Sequence, residues 1–219
     1  MNSYGMTETS PVLVTSNPKS HMEKWSKDKL LDVLGRQGTL MPGLEMRVVK
    51  EGGAEVRHDG KDVGEILVRG PWVADEYYND PARTAETIAD GWLRTGDIAS
   101  IDSEGYIQIV DRTRDLIKSG GEWISSVDLE TTIMEHPGVL EAAVIAVPHE
   151  KWQERPLALV VRKDGARESP TEKDVIDFLE GKVARWWLPD RVTFVDTIPR
   201  TSVGKFDKKA LREKYSKES

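Results

Sequence analysis

The residue pattern changes near residue 113, and this change constrains the fold more than any other feature of the sequence. Before it, short β-rich runs alternate with glycine and proline, whereas after it helical spacing of apolar residues alternates with apolar runs of strand length. A chain of 219 residues can form one large domain or two modest ones. The change therefore predicts an α+β chain with two domains, at residues 1–113 and 114–219.

The first half has the pattern of a small antiparallel sheet or barrel. Its strand candidates are the runs at 45–50, 64–70 and 105–111. One helix is predicted after Asp80, a capping residue, with Pro81 at the first helical position and Gly91 after the end. The run 97–111 predicts a hairpin that turns at 103–105.

The second half predicts a compact α+β unit of ~100 residues, a common domain size. Its first helix should begin at the serines before Val127 and end before Pro137, with Leu129, Ile133 and Met134 on one side. Apolar strands follow at 140–148 and 157–163.

A second helix of this half is predicted from a capping box formed by Ser169, Pro170 and Glu172. Its apolar spacing continues to Trp186 and Trp187, which are expected to lie in the core. A strand at 191–196 and a basic helix from about 207 complete the unit.

Composition excludes several kinds of protein. The net charge of −7 argues against nucleic-acid binding, and the chain has no cysteine for a disulfide, a thiolate nucleophile or a zinc site. Its four histidines lack the close spacing of a metal pair. No apolar run approaches the ~20 residues of a membrane helix, and the beginning of the sequence lacks the pattern of a signal peptide. We expect a cytoplasmic protein without a transmembrane segment, and the sequence indicates no oligomeric state.

Four segments are richer in glycine and polar residues than their structural setting needs, at 4–8, 91–97, 111–123 and 199–205. In the second, Asp97 could accept two hydrogen bonds from a vicinal diol such as ribose, or could only serve a turn. In the third, Arg112 could bind an anion or a sugar hydroxyl, or be an ordinary surface arginine.

The glycines Gly120 and Gly121 allow either a close ligand or a plain loop. Lys205 suits phosphoryl oxygens, although a solvated lysine in the basic run 200–217 is the simpler reading. The segment around Lys205 is not a Walker loop, because it lacks the upstream glycine and the following serine or threonine. No GxGxxG motif supports a Rossmann site.

Together, in this order and spacing, the four segments resemble the adenylate-forming superfamily of acyl-CoA synthetases, peptide-synthetase adenylation domains and luciferases. The resemblance covers essentially the whole chain. The runs 119–130, 149–161 and 198–215 are most similar to bacterial and archaeal medium-chain and long-chain fatty-acyl-CoA ligases. The resemblance implies that 1–113 is the last, barrel-like part of the large AMP-binding domain, and that 114–219 is the mobile C-terminal α+β domain.

The resemblance also implies a reaction in two steps. ATP and Mg²⁺ activate a fatty acid as an acyl-adenylate with release of pyrophosphate, and the acyl group then passes to the thiol of coenzyme A, leaving AMP. ATP or AMP, Mg²⁺, coenzyme A and a fatty acid are thus the implied ligands. Charge builds on phosphoryl oxygens in the first step, and Lys205 is the implied residue that stabilises it.

For the nucleotide, Tyr4, Gly5, Thr7 and Glu8 resemble the motif that packs on adenine, contacts phosphate and holds Mg²⁺ through its glutamate. A hard cation that favours oxygen ligands suits a glutamate. Asp97 resembles the aspartate that binds both ribose hydroxyls, and Arg112 the arginine beside it.

For the second step, the resemblance implies that Gly120, Gly121 and Trp123 approach the pantetheine tunnel and that Lys118 faces the site. Trp123 resembles a gate of the acyl tunnel, or else fills an interface. Arg114 matches the hinge position, where the family usually has aspartate or lysine. Backbone rotation, the role of that position, remains possible for arginine.

The main departure is that family members carry several hundred residues before the Tyr4 motif, including a phosphate loop and most of the acyl pocket. We therefore expect a C-terminal fragment that is inactive alone and whose first loop is exposed and mobile. Two alternatives stay open: a stand-alone module that binds a nucleotide, coenzyme A or a protein, and a ligase for an aryl or short-chain acid.

Overall fold

The chain divides between Thr113 and Arg114 into two units with separate cores, called unit 1 and unit 2 below. This division comes from a computed structural model, which describes residues 2–163, 169–202 and 204–215. None of the helices in these ranges is long and apolar enough to cross a membrane.

Unit 1 contains two antiparallel sheets. The strands of the smaller sheet are β1 (Ser3–Tyr4), β2 (Val14–Thr15) and β3 (Thr39–Leu40). The strands of the larger sheet are β4 (Glu45–Val49), β5 (Val63–Arg69), β6 (Ile88–Ala89), β7 (Trp92–Ile101) and β8 (Ile107–Arg112). Both β6 and β8 pair with β7, and register shifts in β5 and β7 interrupt the ladder as β-bulges do. The small antiparallel, barrel-like subdomain expected from the sequence is confirmed, as a curled half-barrel.

Two helices accompany these sheets, and the sequence predicted only one of them. Helix α1 (Lys27–Gly35) was missed, although Ser26 caps it by accepting a hydrogen bond from the Lys29 amide. Helix α2 (Pro81–Thr87) begins after Asp80 as predicted but ends earlier. Gly91 does not terminate it, because β6 follows and Gly91 lies in the turn between β6 and β7 with φ of 75°.

Unit 2 is built on one five-stranded sheet. Its strands are β9 (Ile117–Ser119), β10 (Glu122–Ile124), β11 (Val139–His149), β12 (Gln153–Arg162) and β13 (Arg191–Phe194). Strand β12 lies centrally, antiparallel to β9 and β11 and parallel to β13. Its helices are α3 (Ser126–Met134), α4 (Glu172–Leu179) and α5 (Lys208–Tyr215).

Strands β11 and β12 are apolar on both faces, because each face has its own helical cover. Alternate residues point to opposite faces of a strand, so Val144 joins the core with α3 and α4 while Ile145 joins the core with α5. The uninterrupted apolar runs in the sequence follow from this arrangement. The mixed α+β class is confirmed.

Two details of the helices in unit 2 differ from the prediction. The capping box of α4 is formed by Thr171 and Asp174, not by Ser169, Pro170 and Glu172. The helix ends at Leu179, and a separate 3-10 turn, Arg185–Trp187, carries both tryptophans. Trp187 packs against the core but Trp186 is exposed, and so is Met134 at the end of α3.

Candidate functional site

Asp97 and Arg112 face each other across strands β7 and β8 of unit 1. They are direct register partners, and Arg112 Nε lies 3.6 Å from Asp97 Oδ1. The other carboxylate oxygen, Oδ2, accepts a hydrogen bond of 2.5 Å from the Tyr4 hydroxyl. The sequence residues predicted at 4, 97 and 112 are therefore brought together, with Asp97 held between a phenol and a guanidinium.

The local backbone explains why Tyr4 reaches this position. Strand β1 pairs with β2, and the Tyr4 carbonyl accepts a hydrogen bond from the Leu13 amide. A Cβ added at Gly5 would lie 1.7 Å from the Pro11 carbonyl oxygen, so this position requires glycine. Gly5 thus has a packing reason for being glycine, independent of any ligand.

The environment of Tyr4 also affects its ionisation. Burial, and then the nearby Asp97 carboxylate, raise the pKa of Tyr4 far above its ordinary value. The hydroxyl therefore stays protonated and remains a donor to Asp97 at neutral pH. The expectation that the first loop is exposed is wrong for Tyr4, which packs against the core of unit 1 because its strand is paired, whereas Ser3, Thr7 and Ser10 are exposed.

A second cluster in unit 1 surrounds Glu8. Its Oε1 accepts a hydrogen bond of 2.8 Å from the Tyr77 hydroxyl and lies 3.8 Å from Arg83 Nη2. The Arg83 guanidinium lies over the Tyr77 ring, 3.9 Å from its centroid. Burial, together with the hydrogen bond to Glu8, raises the pKa of Tyr77. Thr7 lies on the same 3-10 turn as Glu8 and is exposed.

The surroundings of Glu8 fit the Mg²⁺ that the sequence implies. Only 17% of the side chain is exposed, and Tyr77 contacts Oε1. Within the described ranges, no cluster of three or more histidine, aspartate or glutamate residues could form a metal cage. Mg²⁺ is usually bound by one or two carboxylates together with substrate phosphates and water, so a single oriented carboxylate is adequate.

In unit 2, strands β9 and β10 form a hairpin over residues 117–124, called the glycine hairpin below. Gly120 and Gly121 are its two turn residues, and their φ values of 60° and 89° lie in the left-handed region. Lys118 and Trp123 are register partners, and the Lys118 ammonium lies 4.5 Å from the Trp123 ring centroid. The hairpin thus brings together all four residues that the sequence assigned to the second step.

Lys205 lies in a different turn of unit 2. Its carbonyl accepts a hydrogen bond of 2.8 Å from the Thr201 amide, and Arg200 Nη1 donates to the Gly204 carbonyl at 2.7 Å. The Lys205 side chain is exposed, and the described part of the chain offers its ammonium no hydrogen bond or ion pair. This is the geometry of a cation presented on a turn.

Arg114 is also exposed, and its Nε lies 4.0 Å from Asp115. Asp115 in turn accepts a 2.7 Å hydrogen bond from Arg212 on α5. The structure of unit 2 is therefore anchored from Asp115 onward, and Arg114 is the first residue before that anchor.

Sequence reasoning missed three side chains that support these sites. Tyr77 and Arg83 were overlooked because neither lies in a glycine-rich segment, although both flank Asp80 at the start of α2. Arg155 was read only as part of a motif, yet it binds the end of strand β9. No short-range signal could have identified these contacts, since they join residues distant in the chain.

Comparison with known proteins agrees with this geometry. Residues 1–78 match the model of the AMP-binding enzyme family, and residues 128–205 match the model of the AMP-binding enzyme C-terminal domain. A long-chain-fatty-acid–CoA ligase from Thermus thermophilus is 51% identical over 97% of this chain. A medium-chain-fatty-acid–CoA ligase from Ectopseudomonas oleovorans is 43% identical over 98% of it.

Solved structures give the same result. The ATP-bound MatB structure from Rhodopseudomonas palustris superposes with a TM-score of 0.81 at 38% identity, and covers 98% of this chain. The chain spans 40% of that protein and 39% of each of the two ligases. The two family models, these relatives and the shared fold together show that the chain belongs to the AMP-binding, adenylate-forming enzyme family.

Proposed function

We propose that this chain forms part of an AMP-forming acyl-CoA ligase that acts on a fatty acid. The enzyme joins the acid to the α-phosphate of ATP, releases pyrophosphate, and then transfers the acyl group to the thiol of coenzyme A with release of AMP. The observation that carries the proposal is the position of the Asp97 carboxylate. It lies between the hydroxyl of the half-buried Tyr4 and the guanidinium of Arg112.

In unit 1, Asp97 accepts hydrogen bonds from the ribose hydroxyls, and Arg112 adds a donor at the same edge. A carboxylate accepts at two oxygens, so it can serve a vicinal diol while Tyr4 restricts its rotation. Tyr4 and Gly5 line the adenine side, and Thr7 contacts phosphate. Glu8 is the Mg²⁺ ligand, and the ion when bound offsets negative charge on the phosphates.

In unit 2, Lys205 stabilises the charge that develops on the α-phosphate during the first step. An exposed ammonium on a turn can approach such a ligand at little structural cost, and losing a donor of this kind typically lowers the rate ~10²-fold to 10³-fold. Lys118, Gly120, Gly121 and Trp123 serve the second step. We place the hinge between the steps at Arg114, outside the anchor at Asp115.

A fatty acid is the proposed substrate because two of the similar ligases bear that description, one of them at 51% identity. A 3-methylmercaptopropionyl-CoA ligase from Ruegeria lacuscaerulensis is 41% identical, so a short acid is the competing choice. The cytoplasmic location expected from the sequence stays a prediction.

The test is to join this chain to the remainder of the Thermus thermophilus ligase and to assay acyl-CoA formation with ATP, Mg²⁺ and coenzyme A. Acids from about 3 to about 18 carbons are assayed one at a time. A hydrophobic pocket discriminates between chains by only ~1–3 kcal/mol per methylene, so the rates with neighbouring chain lengths have to be compared directly. Formation of acyl-CoA and AMP supports the proposal. A folded fusion that forms neither acyl-adenylate nor acyl-CoA contradicts it.

The unfused chain provides the matching control. We expect it to form no acyl-CoA at ordinary rates. If it binds AMP tightly by calorimetry without the remainder of a ligase, the stand-alone binding module becomes the better account.

A further inference from the structure

Two neighbouring side chains of strand β12 contact the glycine hairpin of unit 2. Glu154 Oε2 accepts a hydrogen bond of 2.8 Å from the Lys118 amide, and Arg155 binds the next residue, Ser119. Arg155 lies on strand β12, two residues after Gln153, which pairs with Ser119 at the end of β9. Its Nη1 donates to the Ser119 hydroxyl at 3.0 Å, immediately before Gly120. The hairpin is thus tied to the central strand of the sheet by side chains as well as by the ladder.

The same guanidinium binds the 3-10 turn and the segment that follows it. Its Nη1 donates to the Trp186 carbonyl at 2.7 Å and its Nη2 to the Leu188 carbonyl at 2.8 Å. Both Nε and Nη2 donate to Asp190 Oδ1, at 2.9 and 2.7 Å. All five N–H groups are therefore used, and only 12% of the side chain is exposed.

A guanidinium that binds four partners in one plane fixes their relative positions. Lysine could not reproduce this, since its ammonium is a point charge with three rotatable donors. The turn itself has a second contact: the Gly120 amide donates to the Trp152 carbonyl at 2.9 Å, and a Cβ at Gly120 would lie 2.9 Å from the Trp152 ring. The hairpin is therefore held at three successive residues, Lys118, Ser119 and Gly120.

We propose that Arg155 is a positioning residue for the second half-reaction: it holds the glycine hairpin in the conformation that aligns Lys118, Gly120 and Gly121 for acyl transfer to coenzyme A. This inference rests on the proposed function, since it assigns the hairpin to the thioester step. In this proposal Arg155 acts through the hairpin.

The first test uses the 219-residue chain alone. Hydrogen exchange of the Gly120 amide is measured by NMR in the wild type, in Arg155→Lys and in Arg155→Met. We expect both variants to speed exchange at Gly120 by about tenfold or more, while the buried Val144 amide keeps its protection, because only local opening becomes easier. Unchanged exchange at Gly120 in both variants overturns the proposal.

The matched control is Arg162→Lys, on the same strand. Arg162 donates to the Pro170 carbonyl at 3.2 Å and lies over the Phe194 ring, away from the hairpin. It should leave exchange at Gly120 unchanged. If Arg162→Lys speeds this exchange as much as Arg155→Lys does, Arg155 has no special role.

The second test uses the fusion with the Thermus thermophilus remainder. Arg155→Lys should lower kcat for thioester formation from preformed acyl-adenylate by about 10²-fold, since small misplacements have effects of that size, and leave adenylation nearly unchanged. Equal losses in both steps, or none, overturn the proposal. A wild-type fusion without either activity contradicts the proposed ligase function instead. In that case the hydrogen-exchange measurement still tests whether Arg155 restrains the glycine hairpin.

Discussion

The two units present their candidate site residues in different ways. In unit 1 the side chains are bonded to one another: Tyr4 to Asp97, and Tyr77 to Glu8. In unit 2 the candidate residues lie in a hairpin and in a separate turn, with Lys205 exposed. A nucleotide would therefore meet preformed acceptors in unit 1, whereas unit 2 contributes groups whose positions depend on turn geometry.

Unit 2 also contains a buried ion pair, and this pair connects secondary-structure elements instead of belonging to the candidate site. Lys208 Nζ lies 2.6 Å from Glu130 Oε1, and these side chains are only 10% and 9% exposed. The same ammonium donates to Ser126 at 2.6 Å, and Glu130 accepts from the Val144 amide at 2.8 Å. This pair joins α5 to α3 and β11.

The largest expected effect is on stability. Lys208→Met should lower the free energy of unfolding of unit 2 by ~3–5 kcal/mol, because Glu130 would stay buried without its cation. Denaturant unfolding followed by tryptophan fluorescence measures this. Lys209→Met, on an exposed neighbour, should change it by less than ~0.5 kcal/mol. Equal small losses in both variants would show that the pair is not structural.

The next effect concerns nucleotide binding by unit 1. Asp97→Asn in the fusion should weaken AMP binding by about 10²-fold, as two charge-assisted hydrogen bonds to ribose become weaker neutral ones. Calorimetric titration gives the affinity. Glu104→Gln, in the turn that joins β7 to β8, should bind AMP like the wild type. An unchanged affinity in Asp97→Asn would remove the ribose role.

A smaller effect is expected at the metal position. Tyr77→Phe should raise the Mg²⁺ concentration for half-maximal adenylation by about tenfold, because residues that orient a metal ligand typically contribute 10-fold to 100-fold. It should also lower the free energy of unfolding by ~1 kcal/mol through the lost hydrogen bond.

Tyr78 provides the matched control, since it is the next residue and 92% exposed. Tyr78→Phe should change neither quantity. If Tyr77→Phe and the wild type require the same Mg²⁺ concentration, the Tyr77 hydroxyl does not orient Glu8 for the metal.

The smallest effect is a pH dependence. The folded pKa of Tyr4 is raised above its unfolded value of about 10. A raised pKa stabilises the folded state fully below the unfolded value, and this contribution is lost as pH rises through the folded pKa. The unfolding free energy of the wild type should therefore fall more steeply above pH ~10 than that of Tyr4→Phe. Parallel curves from denaturant unfolding at several pH values would contradict this.

The sequence predicted the elements that local chemistry specifies. The α+β class, the start of α2 at Asp80 and the β7–β8 hairpin follow from caps, turn residues and strand periodicity, and the structure confirms them. The end of α2 and the length of α4 were wrong, because a short paired strand and a 3-10 turn interrupt helical spacing. Helix ends of this kind depend on tertiary contacts that a local pattern does not contain.

The candidate site was predictable in part, for a related reason. Tyr4, Asp97 and Arg112 were identified through motif spacing, and pairing of β7 with β8 brings the last two together. Their support by Tyr77 and Arg155 was not predictable, since these contacts span 69 and 36 residues of chain. Side chains that orient a site from distant parts of the chain leave no periodic signal.

In the proposed function, unit 2 serves the two half-reactions with different residues, Lys205 in acyl-adenylate formation and the glycine hairpin in thioester formation. The most direct measurement is a comparison of both half-reactions in the fusion carrying Lys205→Ala. We predict that acyl-adenylate formation falls ~10²-fold to 10³-fold, while thioester formation from preformed acyl-adenylate stays close to the wild-type rate. Equal losses in the two half-reactions would contradict the account.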